Sequence, residues 1–172
     1  MTRAAANDFM QGFRFHVVAQ TATGLKPLEL SRNEVAGGGQ AGFQSVTIPE
    51  ISVEPVEYRE GIFKWTQKYV GPPTVSDCTL MRGIIKADTT FYDWVMDSVE
   101  GAEYRCEVTI YHYQRAEMDD ATTAIVGDDY RRIICSECVP TRAKPAGDFD
   151  ATSGEVSMAE VDFAMEKFEL KV

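Results

Sequence analysis

Apolar and polar residues alternate along several stretches of this chain, and this alternation predicts β-strands. The longest stretch runs from Val53 to Tyr69 and is interrupted at Glu60-Gly61, which predicts a hairpin with its turn at that dipeptide. Further alternating runs predict strands at 13–20, 104–113 and 156–172, and the run at 130–139 predicts a strand with apolar residues on both faces. The last run changes phase near Glu166-Lys167, which indicates a bulge or a break into two strands.

The predicted hairpin carries large side chains on one face and polar ones on the other. Its second strand places apolar rings on one side, namely Phe63, Trp65 and Tyr69. A Gly-Pro-Pro run at 71–73 predicts a turn, and a short apolar strand is expected from Cys78 to Ile85. A hairpin of this length is more than a small core can cover, so we expect part of it to contact another chain.

The convincing helix lies at Thr89–Val99. Asp88, Thr89 or Thr90 can serve as its N-cap, and Thr90 with Asp93 approximates a capping box. Gly101 is expected just past the end of the helix. An apolar stripe of Phe91, Trp94, Val95 and Val99 should face the core, where we also expect Leu80 and Ile84.

One helix among about seven or eight strands favours a mainly β fold, a sandwich or small barrel with the helix on its side. The length of 172 residues fits a single domain spanning 1–172. Residues 1–7 are expected to be a mobile arm and 115–129 a long loop.

Charge and hydropathy exclude several function classes. The net charge of −10, from 27 acidic and 17 basic residues, argues against a nucleic-acid surface, which needs a basic stripe. No apolar run approaches the roughly 18 residues that a membrane-spanning helix needs, so no membrane insertion is expected. The start of the chain lacks the apolar core of a signal peptide, which favours the cytoplasm.

Cys135-Ser136-Glu137-Cys138 forms a CxxC, the strongest metal or redox signal in the chain. A redox CxxC normally opens a helix, whereas this one lies in a predicted strand, where the odd offset should send the two thiols to opposite faces. A structural zinc site would need a second pair, and Cys78, Cys106, His16 and His112 stand singly. We therefore expect buried structural thiols.

Other candidate sites are weaker still. Gly37–Gly39 lacks the Lys-Ser/Thr of a phosphate-binding loop, and no nucleophile elbow accompanies the histidines. The sequence predicts no catalytic residue, no metal site and no cofactor. Elimination favours an interaction or structural role.

Several short motifs follow one another in a fixed order. They are Tyr58-Arg59-Glu60-Gly61, Lys68-Tyr69-Val70-Gly71-Pro72-Pro73, Thr79-Leu80-Met81-Arg82-Gly83-Ile84 and Phe91-Tyr92-Asp93-Trp94. Together with the early Phe13-Arg14-Phe15-His16-Val17 and the closing Glu155–Val172, this order resembles the tail-tube proteins of contractile phage tails and bacterial contractile injection systems. Each motif is weak alone, but the order is specific, and the resemblance covers residues 8–172.

The resemblance implies a barrel-like sandwich with a flanking helix, assembled as stacked homohexameric rings around a hollow lumen. It implies no enzyme activity. The implied partners are further copies of the chain, a contractile sheath protein, baseplate and spike proteins, and cargo in the lumen. Assembly is expected in the bacterial cytoplasm, within a phage tail or injection particle. A tube-initiator ring at the baseplate is the alternative, and a metal or redox module built on the CxxC is another.

The hairpin is the expected contact between subunits. We expect its strands to contribute to the wall of the lumen and its turn near Glu60 to reach a neighbouring ring. The residues predicted for this interface are Glu57, Tyr58, Arg59, Glu60, Gly61, Lys64 and Lys68.

Overall fold

The computed structural model of the chain describes residues 10, 12, 15–21, 43–84, 89–113, 130–149, 152, 154 and 156–172. The elements in this part are β1 Phe15–Thr21, β2 Phe43–Thr47, β3 Ile51–Tyr58, β4 Gln67–Val75, β5 Cys78–Gly83, α1 Thr90–Glu100, β6 Cys106–Tyr113, β7 Tyr130–Lys144, β8 Met158–Ala164 and β9 Lys167–Lys171. The predicted arm at 1–7, the glycine run at 37–39 and the loop at 115–129 lie outside the described residues.

All strand pairs are antiparallel, and the pairing order β1-β6-β7-β8-β5-β2 leaves an open path, with β9 added alongside β7. The first layer contains β1, β6, β9 and the beginning of β7, where Arg132–Ser136 pairs with β9. The second layer contains β2, β5, β8 and the end of β7, where Val139–Lys144 pairs with β8. The predicted mainly β fold is confirmed.

The long strand β7 joins the two layers, and it changes layer at an irregularity. Glu137 has a φ of 54°, and the pairing of β6 with β7 shifts register between Cys106 and Val108. Strands that pass from one sheet to another commonly bend at such a bulge. The fold therefore depends on a local distortion in the strand that it shares.

The core lies between the layers and under the helix. Val17 and Ala19, which alternate with less buried residues along β1, are buried, as is Val108 of β6. The second layer contributes Leu80 and Phe163, both without solvent exposure. Half-buried strands with period-two alternation produce this pattern.

Helix α1 packs on β7 and β8, and its buried residues are Phe91, whose ring stacks on Phe43 of β2, and Trp94. The Trp94 indole Nε1–H donates to the Tyr104 carbonyl at 2.7 Å, and its ring centroid is 5.8 Å from that of Phe163. The N–H of a buried tryptophan usually finds such an acceptor, because burying it unpaired costs free energy. The helix thus fixes the bend between α1 and β6 as well as the core beneath it.

The apolar stripe of the helix is narrower than predicted. Val95 packs against the core and Ile84 is partly buried, but Val99 is 72% exposed. Position 98, rather than 99, completes the i, i+3, i+4, i+7 stripe that begins at Phe91, and Ser98 occupies it with its hydroxyl bonded to the Val95 carbonyl at 2.7 Å.

The helix ends as predicted and has Thr89, one of the predicted candidates, as its N-cap, but its capping hydrogen bonds differ from the prediction. Gly101 has a φ of 75° and its N–H donates to the Asp97 carbonyl, which is the expected glycine stop. Thr89 is the N-cap, but its hydroxyl donates to the Asp93 carboxylate at 2.6 Å instead of accepting from a backbone N–H. The predicted capping box of Thr90 and Asp93 is therefore wrong.

The hairpin prediction is right in position and wrong in detail. Gly71-Pro72-Pro73 lies inside β4 and forms no turn. The prolines are tolerated there because the register of β3 with β4 shifts between Val53 and Pro55, as it does at a bulge. Phe63 and Trp65 lie in the connection at 59–66 instead of in a strand. Similarly, β7 extends to Lys144, beyond residue 139 where the predicted strand ends.

Replacing Trp94 with alanine should lower the free energy of unfolding by about 3–5 kcal/mol. The substitution removes a fully buried ring and leaves the Tyr104 carbonyl without its indole donor. The measurement is urea denaturation followed by far-ultraviolet circular dichroism. Trp65 is the matched control, since it is 77% exposed and Trp65→Ala should change stability by roughly 0.5 kcal/mol or less. Equal effects of the two substitutions would refute this account of the core.

Replacing Gly71 with alanine should disrupt the pairing of β3 with β4, because a Cβ at this position would lie 2.2 Å from the Glu54 carbonyl oxygen. Hydrogen exchange should become faster for the amides of β3 and β4, while those of β6 and β8 stay protected. Gly61→Ala is the control, since nothing lies within 4 Å of a Cβ there. Unchanged protection of β3 and β4 in Gly71→Ala would show that their pairing does not depend on the close approach of Gly71 to Glu54.

Candidate assembly interface

Strands β3 and β4 form a separate two-stranded sheet, which we call the ribbon (residues 51–75). At its base, the Ser76 N–H donates to the Glu50 carbonyl at 3.0 Å, and the Glu50 N–H donates to the Ser76 hydroxyl at 2.9 Å. Every residue of β3 is exposed. The ribbon therefore leaves the folded body from a closed base, with both of its faces in water.

The register of the ribbon separates two apolar groups. On one face, Ile51 pairs with Val75 and Val53 with Pro73, near the base. On the other face, Val56 pairs with Tyr69, towards the turn. A two-stranded ribbon gains little stability by itself, and exposed apolar groups on both faces are typical of a surface that another protein covers.

The predicted interface residues all lie in the outer half of the ribbon or in its turn, and all are exposed. Glu57 and Lys68 face each other in the register, with Oε1 3.4 Å from Nζ. Because both side chains are largely in water, this ion pair adds little stability. The other predicted members surround the turn, namely Tyr58, Arg59, Glu60, Gly61 and Lys64.

The sequence prediction omitted the apolar residues of the ribbon. Ile51, Val53 and Val70 are exposed large hydrophobic side chains, as is Ile62 in the turn. Their alternation with polar residues was visible in the sequence, but alternation also predicts an ordinary core strand. The distinguishing signal was the pair of prolines in β4, which the centre of a wide sheet does not tolerate.

The two cysteines of the CxxC lie on the same side of their strand, contrary to the prediction. Cys135 and Cys138 are both fully buried in the core, because the bulge at Glu137 resets the side-chain phase between them. Cys138 lies opposite Cys106 in the register, and its thiol donates to the Cys135 carbonyl at 3.3 Å. The predicted burial of these thiols is confirmed.

The environment of the thiols disfavours their reactive form. Burial raises the pKa of the Cys135 thiol to about 12, and burial is also the main cause that raises the pKa of Cys78. The contact with the Cys106 thiol, and then burial, raise the pKa of Cys138. Thiolate is the nucleophile and the metal ligand, so these cysteines are inert at neutral pH.

The remaining candidates for chemistry are also dispersed. Within the described ranges, no three His, Cys, Asp or Glu side chains are grouped in a way that could hold a metal ion. His16 lies beside Tyr111, with ring centroids 6.4 Å apart, and burial lowers its pKa. His112 lies one residue further along the same strand pair, opposite Phe15. Among the helices that the structure describes, none has the length and apolar character needed to cross a membrane.

Known structures with the same fold come from contractile injection systems. The chain superposes on a chain of the sheath–tube complex of the extracellular contractile injection system PVC in its extended state, with a TM-score of 0.75, 20% identity, and coverage of 100% of this chain and 99% of that one. A chain of the PVC sheath/tube terminator in its extended state gives a TM-score of 0.69 at 22% identity, with coverage of 96% of this chain and 99% of that one. A chain of the anti-feeding prophage baseplate gives 0.66 at 18% identity, covering 96% and 97%.

The family comparison covers nearly the whole chain. A comparison with curated protein sequences gave no significant match. The family model described as T4-like virus tail tube protein gp19, however, matches residues 11–169, which include both layers, the ribbon and the helix. Members of this family are structural tube proteins and not enzymes. The chain belongs to the T4-like tail tube protein family.

Proposed function

We propose that this protein is a structural subunit of the inner tube of a contractile tail or injection system, and that it forms stacked homohexameric rings around a hollow lumen. The observation that carries this proposal is the ribbon, which exposes apolar side chains on both faces and buries neither face against the described part of its own chain. Such a surface is explained by burial against further copies, as obligate assemblies require.

The partners proposed for the tube are those of a contractile particle. One fold relative belongs to a sheath–tube complex and another to a baseplate. We propose a contractile sheath protein around this tube, and baseplate and spike proteins at its end. The lumen is proposed to admit cargo. Assembly in the bacterial cytoplasm accompanies this proposal, with the finished subunit in a phage tail or injection particle.

A position at one end of the tube is the second candidate function. The fold is shared with chains of a baseplate and of a sheath/tube terminator, so it serves at tube ends as well as along the tube. A tube-initiator ring would use the same ribbon within its ring but would stack further rings on one side only. Filament length separates the two roles: purified main tube protein stacks into long tubes, and an initiator stops at single or double rings.

The CxxC module proposed from the sequence has little support as a function. Its thiols are buried and protonated, and Cys78 and Cys106 complete a packed core cluster. Stoichiometric zinc in the purified protein would revive this alternative.

Removing the ribbon should abolish assembly without unfolding the body. Because Glu50 and Ser76 already hydrogen-bond to each other, residues 51–75 can be replaced by an Asn-Gly turn that closes the base. We expect the intact chain to form rings in negative-stain electron microscopy. The shortened chain should sediment as a monomer and keep its cooperative thermal transition.

The control changes an exposed apolar residue outside the ribbon. Val99→Ser on α1 removes a comparable apolar side chain and should leave the rings unchanged. Rings from the shortened chain, or an intact chain that stays monomeric at every concentration, would contradict the proposed function.

A further inference from the structure

An apolar cleft of about 560 Å³ lies between the first layer and β2. Its wall includes Phe15 of β1, Val46 of β2 and Phe168 of β9. Ile48 and Leu170 also line it, and both are exposed large hydrophobic side chains. An open apolar cleft of this size can bury one or two large side chains of a partner.

The turn of the ribbon (residues 59–66) presents side chains of that kind. Ile62 is 97% exposed and Trp65 is 77% exposed, and Phe63 lies between them, about half exposed. The turn is ordered by a hydrogen bond from the Phe63 N–H to the Glu60 carbonyl at 3.1 Å. Ordered, exposed aromatic residues lose little entropy on binding and are the usual anchors of protein interfaces.

The turn cannot reach the cleft of its own chain. Ile48, in the cleft wall, lies just before the base of the ribbon at Glu50. From that base, the 8 residues of β3 extend roughly 26 Å at about 3.3 Å per residue, and β4 holds them straight by cross-strand hydrogen bonds. The cleft that a turn can enter therefore belongs to a second copy.

The ribbon turn and the cleft carry charges of opposite sign. Arg131 lines the cleft opposite His112 in the register, and none of the described residues of the cleft wall is acidic. Glu60 is exposed at the turn. Neither Glu60 nor Arg131 forms an ion pair within the described part of the chain. The one lysine of the turn, Lys64, lies over the Trp65 ring with Nζ 5.7 Å from its centroid and is not ion-paired with Glu60. The Glu60 carboxylate is therefore available to pair with a cation in the cleft of another copy.

A contact between a turn and a cleft joins two different surfaces, so each copy offers one of each. Head-to-tail contacts of this type build closed rings or open helical stacks and do not stop at a dimer. That is the geometry that a tube needs.

We propose that the ribbon turn of one copy inserts Ile62, Phe63 and Trp65 into the cleft of a neighbouring copy, with Glu60 facing Arg131. This inference rests on the proposed function, because it names the receptor surface for the ribbon within the assembly. It assigns the cleft to a second copy of this chain and not to a small ligand.

A crosslinking experiment between differently labelled copies tests the placement. One copy carries Ile62→Cys and a short affinity tag, the other carries Leu170→Cys, and the mixed assembly is treated with a short bismaleimide. The native cysteines are all buried, and unsubstituted protein should confirm that they do not react. We expect a crosslinked pair with one copy of each type. Val99→Cys replaces Leu170→Cys as the control on the exposed helix and should give no such product.

Charge reversal provides the second readout. Glu60→Arg and Arg131→Glu should each weaken assembly by about tenfold or more in the concentration required, and the double substitution in one chain should restore it. Both positions are exposed, so circular dichroism should show an unchanged fold. Rings that form without the Ile62–Leu170 crosslink, or a double variant no better than the single ones, would overturn this inference and leave the proposed function standing. A chain that forms no rings would overturn both.

Discussion

A strand can belong to two layers only if its side-chain phase is reset where it passes between them, and the bulge at Glu137 does this in β7. Before it, β7 pairs with β6 and β9, and after it Cys138 still pairs with β6 while Val139–Lys144 pairs with β8. Cys135 and Cys138 sit on either side of the bulge, and both are fully buried. Without the extra residue, their odd spacing would place one of them outside the core. The continuity of the core across the layers therefore depends on a single residue with positive φ.

Strands and helices that bury only one of their faces were predictable from the sequence. The buried positions of β1 and β6 followed from simple alternation, because each strand has one face on the core. The helix followed from its stripe and from Gly101. Bulges were not predictable in the same way, since the register of a partner strand decides whether an extra residue is accommodated. This is why the two thiols were assigned to opposite faces and the Gly-Pro-Pro run to a turn.

The sequence indicates a region for the candidate interface but does not reveal which apolar side chains that region exposes. Its charged members, such as Glu57 and Lys68, were visible as the polar side of an alternating pattern, yet they neutralise each other in the exposed ribbon. The apolar members look the same in sequence as core residues, because burial within a chain and burial between chains select the same side chains. Only the structure separates them, by leaving Val56 and Val70 in water. The cleft could not be predicted at all, since its wall comes from strands far apart in the chain.

Buried thiols with raised pKa values and an exposed apolar ribbon are both consistent with the proposed assembly of this chain with further copies of itself. One turn in one cleft buries little area, and a single contact of that size gives weak binding. Closing a ring changes this, because the last contact forms within one assembly at a high effective concentration. The net charge of −10 on each copy opposes the approach of further copies to the proposed ring. Since salt screens this repulsion over about 10 Å at 0.1 M, formation of the proposed ring should strengthen with ionic strength even though the proposed Glu60–Arg131 contact weakens.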